Sequence, residues 1–162
     1  MIDTLLRREL NAVEIASYQA RGATEVFLAI DKSLQRMVGH RLLTILTYDD
    51  TMSAAMRLYS SQPKIYPAGI SDPIVSSSWA DQLLRHGQPY VGNCAADLDR
   101  VFAYHDRLAS LKLGSVVNMP IRWRGKVKGT LNMLDGEGHY TALDIDAVKA
   151  IAHMALPALL DG

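Results

Sequence analysis

Apolar residues recur at helical spacing from the start of the chain. Over residues 3–20, Leu6, Leu10, Val13 and Ser17 fall on one stripe, while Arg7, Arg8, Glu9 and Glu14 lie largely elsewhere. That is the pattern of an amphipathic helix. Arg21-Gly22 interrupts it. Thr24 reads as the N-cap of a second helix, whose stripe is Val26, Phe27, Ile30, Leu34 and Met37 and which Gly39 ends. The pattern then changes to strand-like runs. Residues 40–48 and 52–60 flank Asp49-Asp50, which is turn chemistry, so 40–60 reads as a hairpin.

Residues 61–78 carry Pro63, Pro67 and Pro73 with Gly69 and several serines, and read as a loop that crosses a surface or covers a pocket. A short helix over 79–86 is ended by Gly87. A brief strand over 89–92 and a helical stretch from Asp97 to Leu111 follow. The clearest segment is 114–134, where two apolar runs flank Arg124-Gly125-Lys126. This predicts a second hairpin with strands apolar on both faces, as in the middle of a covered sheet. Gly136 and Gly138 make a loop, and Thr141 reads as the cap of a last helix with Asp144 in its first turn. Ile145, Val148, Ile151, Ala152, Ala155 and Leu159 form that helix's apolar face, and Pro157 kinks or shortens it. Strand and helix do not alternate regularly, which argues against a doubly wound parallel sheet. The expectation is an α/β fold of the α+β type: a central antiparallel sheet with helices packed on it.

Composition narrows the reading without redirecting it. The 162 residues suit one domain with its own core, and 49% apolar with 21% charged residues is ordinary for a globular protein. The formal net charge of zero provides no global field toward nucleic acid or an acidic membrane. The basic run Arg122, Arg124, Lys126 and Lys128 reads as a solvated hairpin with edge-protecting charges, and no helix-turn-helix or other nucleic-acid motif occurs. The single cysteine, Cys94, precludes an intramolecular disulfide and any Cys-x-x-Cys site. No signal-like N-terminus and no apolar run of membrane-spanning length is present, so the expected location is the cytoplasm.

The stretch Ser115-Val-Val-Asn-Met-Pro-Ile, with Gly125, Gly129 and the run to Leu134, resembles the late hairpin of GAF domains. The first hairpin, the proline-bearing loop and the closing helix fall in the same order, and the resemblance spans residues 24–160. Arg57-Leu-Tyr-Ser-Ser61, Tyr66-Pro67, Trp79, Asn118-Met-Pro-Ile-Arg-Trp123 and Gly129-Thr-Leu-Asn132 are similar to a group of small stand-alone bacterial GAF proteins. Ala103-Tyr104-His105 departs from that group, which often has a proline after the residue matching Phe102. The resemblance implies a single GAF-like domain over 1–162, with terminal helices on one sheet face and loops and short helices over a ligand pocket on the other. It also implies a homodimer through the terminal helices, with 1–22 as a dimerisation element.

Candidate chemistry is sparse. Asn118 and Asn132 are the polar residues least suited to central strands. A three-residue turn at Gly125 would put them on one face, and an even-length turn would separate them. They either bond a ligand or satisfy each other and the backbone. Tyr59, Tyr66 and Trp79 offer rings with polar handles for a pocket wall, and Ser61 offers a hydroxyl. Cys94 is a candidate nucleophile or redox thiol against the plainer role of a small buried apolar residue. His105 with an aspartate is a candidate acid/base pair. The histidines have no metal-binding spacing, so no metal is expected, and the sequence names no cofactor. A lone cysteine also excludes the dithiol cycle of GAF-type methionine sulfoxide reductases. The leading expectation is a cytoplasmic, homodimeric, stand-alone sensory module that binds a small molecule and signals in trans. The alternatives are a small enzyme using Cys94 or His105 in the same pocket, and a ligand-free dimerisation module. The partners expected are a small molecule and a second copy of the chain, with no nucleic acid and no membrane.

Overall fold

The computed structural model describes residues 3–99 and 111–161. Two antiparallel-connected helices open the chain, α1 (Thr4–Gln19) and α2 (Ala23–Met37). The hairpin β1 (Leu42–Tyr48) and β2 (Ala54–Ser60) follows, and then a short strand β3 (Ser71–Pro73). Helix α3 (Ser78–Ala80) runs on into one π-helical turn over Asp81–Arg85. Strand β4 (Tyr90–Gly92) and helix α4 (Ala95–Asp99) precede the long hairpin β5 (Ser115–Trp123) and β6 (Lys126–Asp135). Helices α5 (Ile145–His153) and α6 (Leu156–Asp161) close the chain. The six strands form one antiparallel sheet in the order β3-β2-β1-β6-β5-β4.

The expected architecture is observed, with differences at element ends. Gly22 rather than Thr24 is the N-cap of α2, and no side chain caps it. Asp144, not Thr141, caps α5 by accepting from the Ala147 N–H, while Thr141 Oγ1 donates to the Gly138 carbonyl. The closing helix breaks in two before Pro157, because a proline lacks the N–H that would continue the ladder. Strand β3 lies inside the proline-bearing segment read as loop. It pairs over only three residues, too short for an alternation signal. The helical stretch expected from Asp97 to Leu111 begins earlier, at Ala95, and residues 100–110 of that expectation lie outside the described residues.

The helix-side face holds the main core. Leu43, Ile45, Val117, Met119, Ile121, Leu131 and Met133 from the sheet are sealed against Val26, Phe27, Ile30 and Leu34 of α2 and Val148, Ile151 and Ala152 of α5. Helix α1 packs on α2 and α5. It is pinned by Glu9, 2% exposed, whose carboxylate accepts two bonds from Arg36 Nε and one at 2.7 Å from Arg36 Nη2, besides one from Ser33 Oγ. The Arg36 bonds hold the Glu9 carboxyl below its ordinary pKa against the opposing effect of burial. Gly129 in β6 lets the sheet pass close to its cover: a Cβ there would lie 2.6 Å from the Leu46 carbonyl oxygen and 2.8 Å from Leu159 Cδ1 on α6.

Two bulges set the register. Ile45 opposes Tyr59 but Leu46 opposes Arg57, so Leu58 is the extra residue, and Leu58 and Tyr59 both join the helix-side core. In the long hairpin Trp123 opposes Lys126 across a two-residue turn, with Arg124 and Gly125 both at positive φ, the requirement of a type I′ turn. Arg122 then opposes Val127 but Ile121 opposes Gly129, so Lys128 is extra. Beyond Asn118 the outer edge of β5 runs past the end of β4. Pro120 has no N–H to leave open there, and the Arg122 N–H donates to His153 Nε2 at 3.0 Å.

Candidate functional site

The sheet face turned away from the helices is organised differently. Among the described residues it carries two smaller apolar clusters. Leu42, Val116 and Leu134 with Leu98 form one, with Tyr66 and Tyr90 against it. Ala80, Leu83, Leu84 and Val127 form the other, with Tyr48, Ile74 and Trp79 against it. Polar side chains separate the two clusters.

That polar band is one connected network. Asn118 and Asn132 are directly opposed, and Asn118 Nδ2 donates to Asn132 Oδ1 at 2.7 Å. Asn132 Nδ2 donates to Thr130 Oγ1 at 3.2 Å and Thr44 Oγ1 at 3.3 Å. Tyr48 Oη and Thr130 Oγ1 share a 2.8 Å bond, and Trp79 Nε1 donates to Asn118 Oδ1 at 3.1 Å. Asn118 and Asn132 are 2% and 6% exposed. Burial pushes the Tyr48 hydroxyl up to about 12, against the smaller opposing effect of its bond to Thr130. The even-length turn would have separated the two asparagines, but the bulge at Lys128 restores their shared face. Both asparagine side chains find protein partners, as buried amides must.

Arg57 lies on the same face, opposite Leu46, and its side chain is only 6% exposed. The Tyr66 ring stacks on its guanidinium, with Cζ 3.6 Å from the ring centroid. Its Nη1 donates to the Pro67 carbonyl at 2.6 Å, and its Nη2 is 4.0 Å from Asp72 Oδ2. Its Nε is buried with no hydrogen-bond partner. The backbone of the proline-bearing segment is tied to the same residue: the Arg57 N–H donates to the Ile70 carbonyl and the Gly69 N–H to the Arg57 carbonyl.

The remaining expected site residues are dispersed. Tyr59 points to the opposite face, because the bulge at Leu58 turns it toward the helices. There its hydroxyl donates to Asp31 Oδ2 at 2.5 Å, and Asp31 Oδ1 lies 2.8 Å from His40 Nε2. Burial, with Asp31 adding to it, drives the Tyr59 hydroxyl well above its ordinary range. Ser61 Oγ accepts from the Leu43 N–H at 2.8 Å, a backbone-closing role. Cys94 is half-buried at the start of α4, where its carbonyl accepts from the Asp97 and Leu98 N–H groups. His105 lies outside the described residues. Among the described residues, no group of three or more His, Cys, Asp or Glu could hold a metal ion. No described helix is long and apolar enough to cross a membrane. The basic run at the hairpin tip joins Arg85 and His86 around an open cleft of about 410 Å³, but Arg122 and Arg124 are exposed there and none of the buried polar band reaches it.

Of the sequence candidates, Asn118, Asn132 and Trp79 join the polar band and Tyr66 stacks on Arg57; Thr44, Thr130, Tyr48 and Arg57 are not among those candidates. The signal for the threonines is Thr130-Leu-Asn132, two polar residues at a spacing of two inside an otherwise apolar strand. For Arg57 it is a lone charge in mid-strand, a position that is rarely buried without a partner.

Comparison with known proteins agrees with this architecture. No curated protein sequence matches the chain. The GAF domain of a phosphoenolpyruvate-protein phosphotransferase from Coxiella burnetii superposes with a TM-score of 0.75 at 12% identity, covering 98% of this chain and 94% of that one. The A. aeolicus Nlh2 GAF domain in an inactive state gives 0.71 at 14% identity, covering 97% and 96%. The phycoerythrobilin-bound GAF domain from a cyanobacterial phytochrome gives 0.70 at 13% identity, covering 97% of each chain. The family model for the GAF domain matches residues 20–159, and the chain therefore belongs to the GAF domain family, a family of small-molecule-binding sensory modules.

Proposed function

We propose that this chain is a sensory module that binds a small, partly polar molecule on the sheet face away from the helices, and that it works as a homodimer. The observation that carries this reading is the buried polar band across β1, β6 and β5, set between two apolar clusters. Ligand sites are mostly apolar with a few placed polar groups, and this face has that composition while the opposite face is an unbroken core. Trp79, Asn118, Asn132 and Tyr66 stay in the proposed site, while Ser61 is taken up by the Leu43 N–H and Cys94 lies beside α4. Tyr59 serves the helix side. The phytochrome GAF domain of the same fold holds its bilin as a bound small molecule. The homodimer is supported by Ile15 and Tyr18, three residues apart on α1, and by Leu28 and Leu160, all exposed apolar residues on the helices.

Native mass spectrometry of the purified protein, followed by thermal-shift screening of metabolites, tests the proposal. A retained small molecule, or a shift abolished by Asn118→Ala, supports it. A dimer with no retained compound and no shift across a broad panel favours a second reading, an interaction module. One observation speaks for that second reading: both asparagines are already bonded to protein.

A further inference from the structure

A buried cation is held by close partners, and Arg57 has one short hydrogen bond, one stacked ring and a carboxylate oxygen only at 4.0 Å. Removing a guanidinium from water is costly, and only close partners offset it. Its nearest carboxylate oxygen, on Asp72, is 4.0 Å away on a side chain that is itself 57% exposed. A charge-assisted bond runs at about 2.7–2.9 Å. The Pro67 carbonyl satisfies Nη1, and Tyr66 covers one face of the plane. The side-on edge, where the Nε–H and one N–H of Nη2 point the same way, includes the one buried guanidinium nitrogen with no hydrogen-bond partner. Two parallel N–H donors match two oxygens of one oxyanion, the fork that distinguishes arginine from lysine. In this structure Nε has no hydrogen-bond partner, and Nη2 stands 4.0 Å from Asp72 Oδ2, beyond hydrogen-bond distance.

The geometry points to an oxyanion-bearing ligand, a small molecule with a carboxylate or phosphate group, docked on the Nε/Nη2 edge of Arg57. This rests on the proposed site on the same sheet face and names the chemical class of what it takes. The fork holds the anionic end, and the half-buried Tyr66 ring on the guanidinium offers the neighbouring apolar surface. The segment that carries Tyr66 and Pro67 also supplies the Ile70 carbonyl and Gly69 N–H to the Arg57 backbone, so a ligand on the fork and the packing of residues 61–70 act on one residue.

The test uses sodium benzoate, phenyl phosphate and the neutral benzamide as probes at matched ionic strength, read by thermal shift and calorimetry. The wild-type chain is expected to gain a few degrees in Tm with benzoate or phenyl phosphate and nothing with benzamide. Arg57→Lys keeps the charge and loses the fork, so its affinity should fall about tenfold or more. Arg57→Met should show no binding, and if it does not fold, Arg57→Lys carries the result. Benzoate alone, or phenyl phosphate alone, identifies the carboxylate or the phosphate as the group. Undiminished binding to Arg57→Lys, or equal shifts from benzamide, overturns the inference. Binding of benzamide that Asn118→Ala abolishes would leave the proposed site standing without the oxyanion. If none of the three probes binds, the oxyanion inference falls, and the broad metabolite panel decides the site separately.

Discussion

Replacing Asn118 and Asn132 by leucine, singly and together, measures how the polar band is held. Asn118→Leu strands the buried Asn132 Oδ1 and removes the acceptor from Trp79 Nε1. A buried group left unpaired costs about 1–3 kcal/mol, and the better burial of leucine offsets part of it, so a net loss of about 2 kcal/mol is expected. Asn132→Leu strands Asn118 Nδ2 and takes a donor from Thr44 and Thr130, for a loss of about 2–3 kcal/mol by the same reasoning. The double variant has no stranded partner within the pair. Its loss should therefore be smaller than the sum of the singles by about 1–2 kcal/mol, since replacing both partners with apolar groups is close to neutral. Urea unfolding followed by circular dichroism, with unchanged m-values, gives the three numbers. Losses that add to within about 0.3–0.5 kcal/mol would mean the two amides do not depend on each other, and the network argument would be refuted.

Two further outcomes follow from the packing. Gly129→Ala should destabilise by about 1–3 kcal/mol in thermal or chemical unfolding, because its Cβ meets the backbone oxygen of Leu46, which cannot move aside; an unchanged Tm would contradict the close approach of β6 to β1. Glu9→Gln should cost on the order of 1 kcal/mol, since Arg36 is half exposed and regains water when its partner is neutral. The Glu9 pKa is lowered in the folded state, so the stability it supplies is present above its ordinary value of 4.5 and is lost as pH falls below that toward the lowered value. Wild-type and variant stability curves should converge over that acid range, and parallel curves would argue against the Arg36 bond.

The elements with long, regular patterns were legible and the local irregularities were not. Val26, Phe27, Ile30 and Leu34 read as one stripe and do line the core, and the two hairpins fall where the turn residues placed them. The asparagines stood out because an amide in an apolar strand needs a partner wherever the strand lies. Residue type alone makes Tyr59 a candidate ring for a pocket wall, and nothing in the sequence marks the extra Leu58 that turns it toward the helices. The same blindness applied to Lys128, whose bulge undoes the separation that a two-residue turn would impose. Arg57 escaped notice because its significance is what it lacks, and a missing hydrogen bond leaves no trace in residue order. Asp144 and Thr141 were both sound caps by residue type, and only backbone geometry decided between them.

The outer edge of β5 beyond its pairing with β4 bears on whether a foreign strand could add to this sheet. A strand with open N–H groups invites another strand, and such growth has no natural end. Here the invitation is withdrawn at two places: Pro120 has no hydrogen to offer, and the Arg122 N–H is already given to the imidazole of His153. The opposite margin, β3, is three residues long and exposed. With no donor open at residues 120 and 122 and so short a strand on the other side, the described margins of this sheet offer little ladder on which a further strand could grow.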